Sequence, residues 1–158
     1  MLRIAKIIAT GFGAGYWPWG PGTAGALVAT LMWMGLSLLL PVMWVLPVTV
    51  ILVLLFYVMG VWATNCLEPC WGEDPSRVVV DEMVGVWISL LAAPALSVPY
   101  ALAAFVLFRF FDIVKPFGVR HMESLKGGVG VMMDDVLAGM YGFFLIYVFR
   151  HVVEVMIS

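Results

Sequence analysis

The sequence predicts an all-α integral membrane protein, a compact bundle of about four to five transmembrane or re-entrant helices with its functional loops on the cytoplasmic face. Three observations predict it. Of the 158 residues, 64% are hydrophobic and 11% charged, against roughly 25% charged residues in a soluble domain. The mean hydropathy is +1.08. No charged residue lies between Lys6 and Glu68, a gap that holds two spans of ~20 residues each. The whole chain, 1–158, is expected to form a single membrane domain.

Arg3 and Lys6 precede a short apolar run. Gly11, Gly13, Gly15 and Pro18 break it before it reaches the ~7 to 15 apolar residues of a secretory signal core, so no cleaved leader is expected. The stretch "GFGAGYWPWGPGT" reads as a loop, and the first apolar helix follows from about Thr23 to Leu40. Pro41 and Pro47 bracket a turn. The second span covers Val48 to Thr64, or starts as early as Val42 with Pro47 in its first turn. Asn65 to Arg77 reads as a polar loop. Cys66 and Cys70 stand four apart, one helical face for two buried thiols and no disulfide framework.

Met83 to Phe108 is uncharged but divided by "APALSVP" into two pieces of about a dozen residues, each covering about 20 Å of a ~30 Å hydrocarbon core. Two readings stay open: a short buried hairpin, or two fuller helices extended into Val78–Glu82 and Arg109–Val114. The last helix is expected from about Asp134 to Val153, with Arg150 snorkelling to the interface. Reversal at each segment puts the N-terminus, Gly11–Pro21, Asn65–Val80 and Lys115–Met133 on one side. That side carries every Lys and Arg except Arg150 and every acidic residue except Glu154, so the positive-inside rule makes it cytoplasmic.

The chemistry-bearing residues cluster at helix mouths. Asp134 and Asp135 stand where "GGVGVMMDDVLAGMYG" enters the last span, and Asp81 and Glu82 head the segment "VVVDEMVGVW". One Asp serves as a helix cap; a pair also fits a hydrated cation, and both readings stand. Gly85 and Gly139 follow the two pairs, and small residues let membrane helices approach closely. Side by side, four carboxylates would repel one another, and Mg²⁺, with its preference for oxygen ligands, would neutralise them. In "FRFFDIVKP", Arg109, Asp112 and Lys115 are spaced by three on one helical stripe. This is either a salt-bridged interfacial stripe or a phosphate site with one further metal oxygen. The glycine loops admit close backbone approach at helix N-termini, which bind anions. The first lacks the Lys of a P-loop, and its Trp17 and Trp19 suit an interfacial aromatic belt.

Cation, carboxylates and basic groups together point to phosphoryl chemistry. Cys70 and Arg77 are separated by six residues, one too many for a cysteine phosphatase. No Asp-x-Asp motif occurs, His151 lies near the opposite face, and His121 reads as part of an interfacial stretch. Metal-activated water, with one carboxylate as base, is left as the attacker.

"ATGFGAGYWPWGPGTAGAL", "EDPSRVVVDEMVGVW", "FRFFDIVKPFGVRHME" and "GGVGVMMDDVLAGMYG", in this order, resemble the phosphatidylglycerophosphatase A family over nearly the whole chain. The resemblance implies Mg²⁺-dependent hydrolysis of phosphatidylglycerophosphate to phosphatidylglycerol and phosphate, in phospholipid biosynthesis. It implies a multi-pass protein of a bacterial inner membrane with its active site facing the cytoplasm, and no nucleic-acid partner. Carried over residue by residue, its acidic positions are Asp81, Glu82, Asp112, Asp134 and Asp135, its basic ones Arg109 and Lys115, and its loop Pro21, Gly22 and Thr23. Ala26 stands where the family would have Ser, and "KPFG" lacks a second Pro. The roles expected are metal ligation by Asp81, Asp112, Asp134 and Asp135, and phosphate binding by Arg109, Lys115, Thr23 and Gly22. Catalysis is expected from Glu82 as base with Asp81 and Asp135. A small channel or transporter subunit and a CDP-alcohol phosphotransferase are the alternatives.

Overall fold

The computed structural model describes residues 1–72, 75–116, 118–119 and 126–157. Among them are six α-helices and no strand: α1 (Leu2–Ala9), α2 (Pro21–Leu39), α3 (Val42–Trp71), α4 (Val80–Leu90), α5 (Val98–Val114) and α6 (Gly127–Ile157), with a 3₁₀ turn at Ala14–Tyr16. α2, α3 and α6 are long and apolar enough to cross a membrane. The protein is a helical membrane protein, with one helix more than expected because the N-terminal run forms the short α1.

α2 starts two residues earlier than the pattern suggests. Gly20, at φ +117°, turns the chain, and Pro21 occupies the first helical position, where its missing N–H costs nothing. α2 and α3 run antiparallel, tied where Trp33 Nε1 donates to Thr49 Oγ1 at 3.1 Å. α3 takes the earlier start at Val42, which places Pro47 in its second turn, and it runs on to Trp71. The expected loop at Asn65–Arg77 is therefore helical over its first seven residues. Tertiary partners explain the extension: Leu67 is fully buried, and Asn65 Oδ1 accepts the N–H of Gly128 at 2.7 Å. The helix stops at Gly72, whose φ of +92° is in the left-handed region. The two thiols are free and not both buried as expected. Cys66 is half-buried and Cys70 exposed, because this turn of α3 is wrapped on one face only.

α4 has 11 residues, a rise of about 16 Å that cannot cross the bilayer. It is the short arm of the expected hairpin. α5, with 17 residues, takes in Arg109–Val114 and spans about 25 Å. All of α4 is buried except Glu82 and Ile88, which are half-buried, because α2, α3, α5 and α6 surround it. Trp87 Nε1 donates to the Ala29 carbonyl at 2.9 Å, and Ser89 Oγ to the Gly139 carbonyl at 3.0 Å.

α6 begins at Gly127, seven residues before the expected start at Asp134. "GGVG" is its first turn, packed against the α3 backbone at Val61, and not a loop. Asp134 and Asp135 thus stand at the eighth and ninth helical positions, beyond the first-turn N–H groups that a cap would satisfy, so the capping reading fails. The start of α2, α4 and α6 and the end of α3 and α5 meet at one end of the bundle. α1 is held there by the bond from Val79 N–H to the Ala9 carbonyl at 2.8 Å. At the other end Arg150 pairs with Glu154 at 2.7 Å, beside the α4–α5 turn at Leu91 and Pro94.

Candidate active site

The site is built on the crossing of α4 and α6. A Cβ added at Gly139 would stand 3.0 Å from the Gly85 carbonyl carbon, and one at Gly85 would stand 2.7 Å from the Asp135 carbonyl oxygen. The backbones touch, as small residues allow. One turn before each glycine lie Asp81 on α4 and Asp135 on α6. One carboxylate oxygen from each of Asp81, Glu82 and Asp135 falls within 4.8 Å of the others. Asp81 and Asp135 are only 7% and 3% exposed, so water does little to separate these charges.

Two more elements, α5 and α2, close around the cluster. From α5, Arg109 forms an ion pair with Asp112 and brings Nη1 to 4.0 Å from Glu82 Oε1. From α2, Gly22 lies against the same two groups, since a Cβ there would come 3.0 Å from Glu82 Cδ and 3.1 Å from Arg109 Nη1. Lys115 does not continue the expected stripe of three. It caps α5 in a left-handed conformation, φ +48°, and so turns toward α6, where Nζ meets Asp134 Oδ2 at 3.0 Å.

Burial, then the charge of Glu82, pushes the Asp81 carboxyl well above the ordinary carboxylate range. Burial also raises Glu82, opposed by its hydrogen bond with Asp81 and by the Arg109 charge. Glu82 Oε2, Asp135 Oδ1 and Arg109 Nε are buried without a hydrogen-bond partner among the described residues. Unpaired buried groups of this kind call for an ion, a water or a ligand. An all-oxygen donor set with two orphaned carboxylate oxygens fits a hard divalent cation. The expected metal set divides here: Asp81 and Asp135 join Glu82 in the cluster, whereas Asp112 and Asp134 are held by Arg109 and Lys115.

Thr23 is exposed, about 100° round α2 from Gly22, and lines a cavity with Trp17 and Trp19. His121 lies outside the described residues. Asn65, which ties α3 to the start of α6, went unrecognised in the sequence. Its one signal was a polar residue directly after an apolar span, and the same signal marks an ordinary loop.

A sequence model of phosphatidylglycerophosphatase A matches residues 7–150. The chain belongs to the phosphatidylglycerophosphatase A family. Two relatives bear that name: one from Haemophilus influenzae, 39% identical over 96% of this chain and 91% of its own, and one from Escherichia coli K12, 36% identical over 92% and 83%. A third, from Bacteroides thetaiotaomicron, is 63% identical over 93% of this chain and 94% of its own, and is provisionally named phosphatidylinositol-3-phosphatase. No solved structure matches the chain. As a phosphatidylglycerophosphatase A family member the protein is a phosphatase of phospholipid metabolism, which sets the transporter and phosphotransferase alternatives aside.

Proposed function

We propose that this protein hydrolyses phosphatidylglycerophosphate to phosphatidylglycerol and inorganic phosphate with Mg²⁺, at the cytoplasmic face of a bacterial inner membrane, as a single domain over 1–158. The observation that carries the reading is the buried triad of Asp81, Glu82 and Asp135, with two orphaned oxygens, facing Arg109. These three would hold the cation, whose chemistry there is charge neutralisation and the acidification of a water.

The chain's own groups do the rest. Arg109 and Lys115 neutralise non-bridging phosphate oxygens, while Asp112 and Asp134 hold them in place by the ion pairs described above. The free N–H groups of Gly22 and Thr23, in the first turn of α2, donate to another phosphate oxygen. Glu82, its carboxyl raised by burial, takes the proton of the attacking water. The new O–P bond forms as the P–O bond to glycerol breaks, and the proton passes on to the departing glycerol oxygen. Burial of Asp81 and Asp135 excludes bulk water and strengthens each of these interactions.

The Bacteroides relative's name supports a second reading, with phosphatidylinositol 3-phosphate as substrate. Phosphate release from both lipids and from phosphatidic acid, compared as kcat/KM with purified enzyme in mixed micelles, decides between them. The first reading predicts phosphatidylglycerophosphate ahead by roughly tenfold or more. A preference for the inositol lipid would replace it.

A further inference from the structure

We propose that the cavity along the first turns of α2 seats the glycerol backbone and the proximal methylenes of one acyl chain of the lipid phosphate, so that substrate enters sideways from the bilayer. This rests on the phosphomonoester-lipid reading above and adds the surface that takes the lipid's apolar part. The cavity has a volume of about 370 Å³ and is lined by Trp17, Trp19, Thr23, Ala24, Leu27 and Val28.

Continuity with the site is the first argument. Gly22 lies against Glu82 and Arg109, and its neighbour Thr23, about 100° further round the helix, lines the cavity. Little more than a quarter-turn of α2 therefore separates the place of the phosphate from the apolar groove.

The order of polarity is the second. Trp17 and Trp19 are 58% and 87% exposed, as suits side chains at headgroup level. Thr23 supplies a hydroxyl at the same end. From there the groove follows α2 through Ala24, Leu27 and Val28, about 7 to 8 Å along the helix, and these three offer only hydrocarbon. A glycerolipid whose terminal phosphate reached Arg109 would present its polar and apolar parts in this same order. A second cavity of about 380 Å³, lined by Tyr100, Ala103, Leu107 and Phe149 among others, is as apolar but has no residue of the site in its wall. It serves as the control.

The test compares dioleoyl with dibutyryl phosphatidylglycerophosphate on purified wild type, Ala24→Phe, Leu27→Trp and Ala103→Phe. Filling the groove with Ala24→Phe is expected to lower the dioleoyl to dibutyryl ratio of kcat/KM by roughly tenfold or more, and Ala103→Phe to leave it unchanged. Leu27 is exposed and lines the groove, so Leu27→Trp blocks it without entering the core and gives the same answer if Ala24→Phe does not fold. An unchanged ratio in a folded groove variant, or an equal fall in Ala103→Phe, overturns the groove while leaving the phosphatase reading intact. A wild type that hydrolyses neither lipid overturns both.

Discussion

Gly139→Ala tests whether the α4–α6 contact sets the geometry of the site. The new Cβ would stand 3.0 and 3.1 Å from the carbonyl carbon and Cα of Gly85, and closer still to its oxygen. Carbon atoms in contact sit about 3.5 to 4.0 Å apart, so the helices must separate by about 0.5 to 1 Å. Both partners are backbone, and no side chain can yield. Asp81 and Asp135 lie one turn before the two glycines, so the separation passes directly to a cluster whose oxygens now fall within 4.8 Å. Overpacking of this kind costs about 1 to 3 kcal/mol of stability, and a misplacement near 1 Å costs about 10²-fold in rate. Phosphate release by the purified variant in mixed micelles, with its thermal unfolding, measures both. The prediction is a kcat lower by about 10²-fold in a protein that still inserts and folds. A kcat within about threefold of wild type would refute the claim that this contact positions the carboxylates.

Gly35→Ala is the matching control, since nothing lies within 4 Å of the added Cβ; unfolding should show unchanged or higher stability, by about 0.5 to 1 kcal/mol. Arg109→Lys keeps the charge but loses the planar guanidinium whose Nη1 pairs with Asp112 and reaches toward Glu82, and phosphate-release kinetics should show a fall in kcat/KM of about 10²-fold or more. In EDTA the raised Asp81 and Glu82 carboxyls make the folded state bind more protons than the unfolded one. Metal-free stability should therefore be full below pH ~4 and be lost as pH rises through the elevated folded values, with Tm scans against pH as the measure. Added Mg²⁺ should restore Tm most at the high end of that range.

The fold class was legible because composition and the long uncharged gap leave few alternatives, and the α4–α6 contact because Gly85 and Gly139 follow paired carboxylates at the same spacing. Helix ends were less legible. Residues 65–71 and 127–133 look like loop material locally, and only Leu67, Asn65 and the packing of Gly128 on Val61 hold them in helices. The same limit applied to the site. All five carboxylates could be named, and the spacing of Arg109 and Asp112 already offered their ion pair, but the pairing of Lys115 with Asp134 and the gathering of Asp81, Glu82 and Asp135 were not readable. Lys115 lies past the end of α5, where a left-handed turn redirects it to Asp134, and Glu82 comes into the cluster from the same turn as Asp81.

Phosphate release from phosphatidylglycerophosphate by wild type and Asp135→Asn, each with Mg²⁺, after EDTA, and after Mg²⁺ is restored, tests the central claim most directly. The buried triad predicts release by wild type that EDTA abolishes and Mg²⁺ restores, and none above about 1% of that rate from folded Asp135→Asn under any condition. Release that survives EDTA, or that Asp135→Asn retains, would contradict a catalytic cation held by Asp81, Glu82 and Asp135.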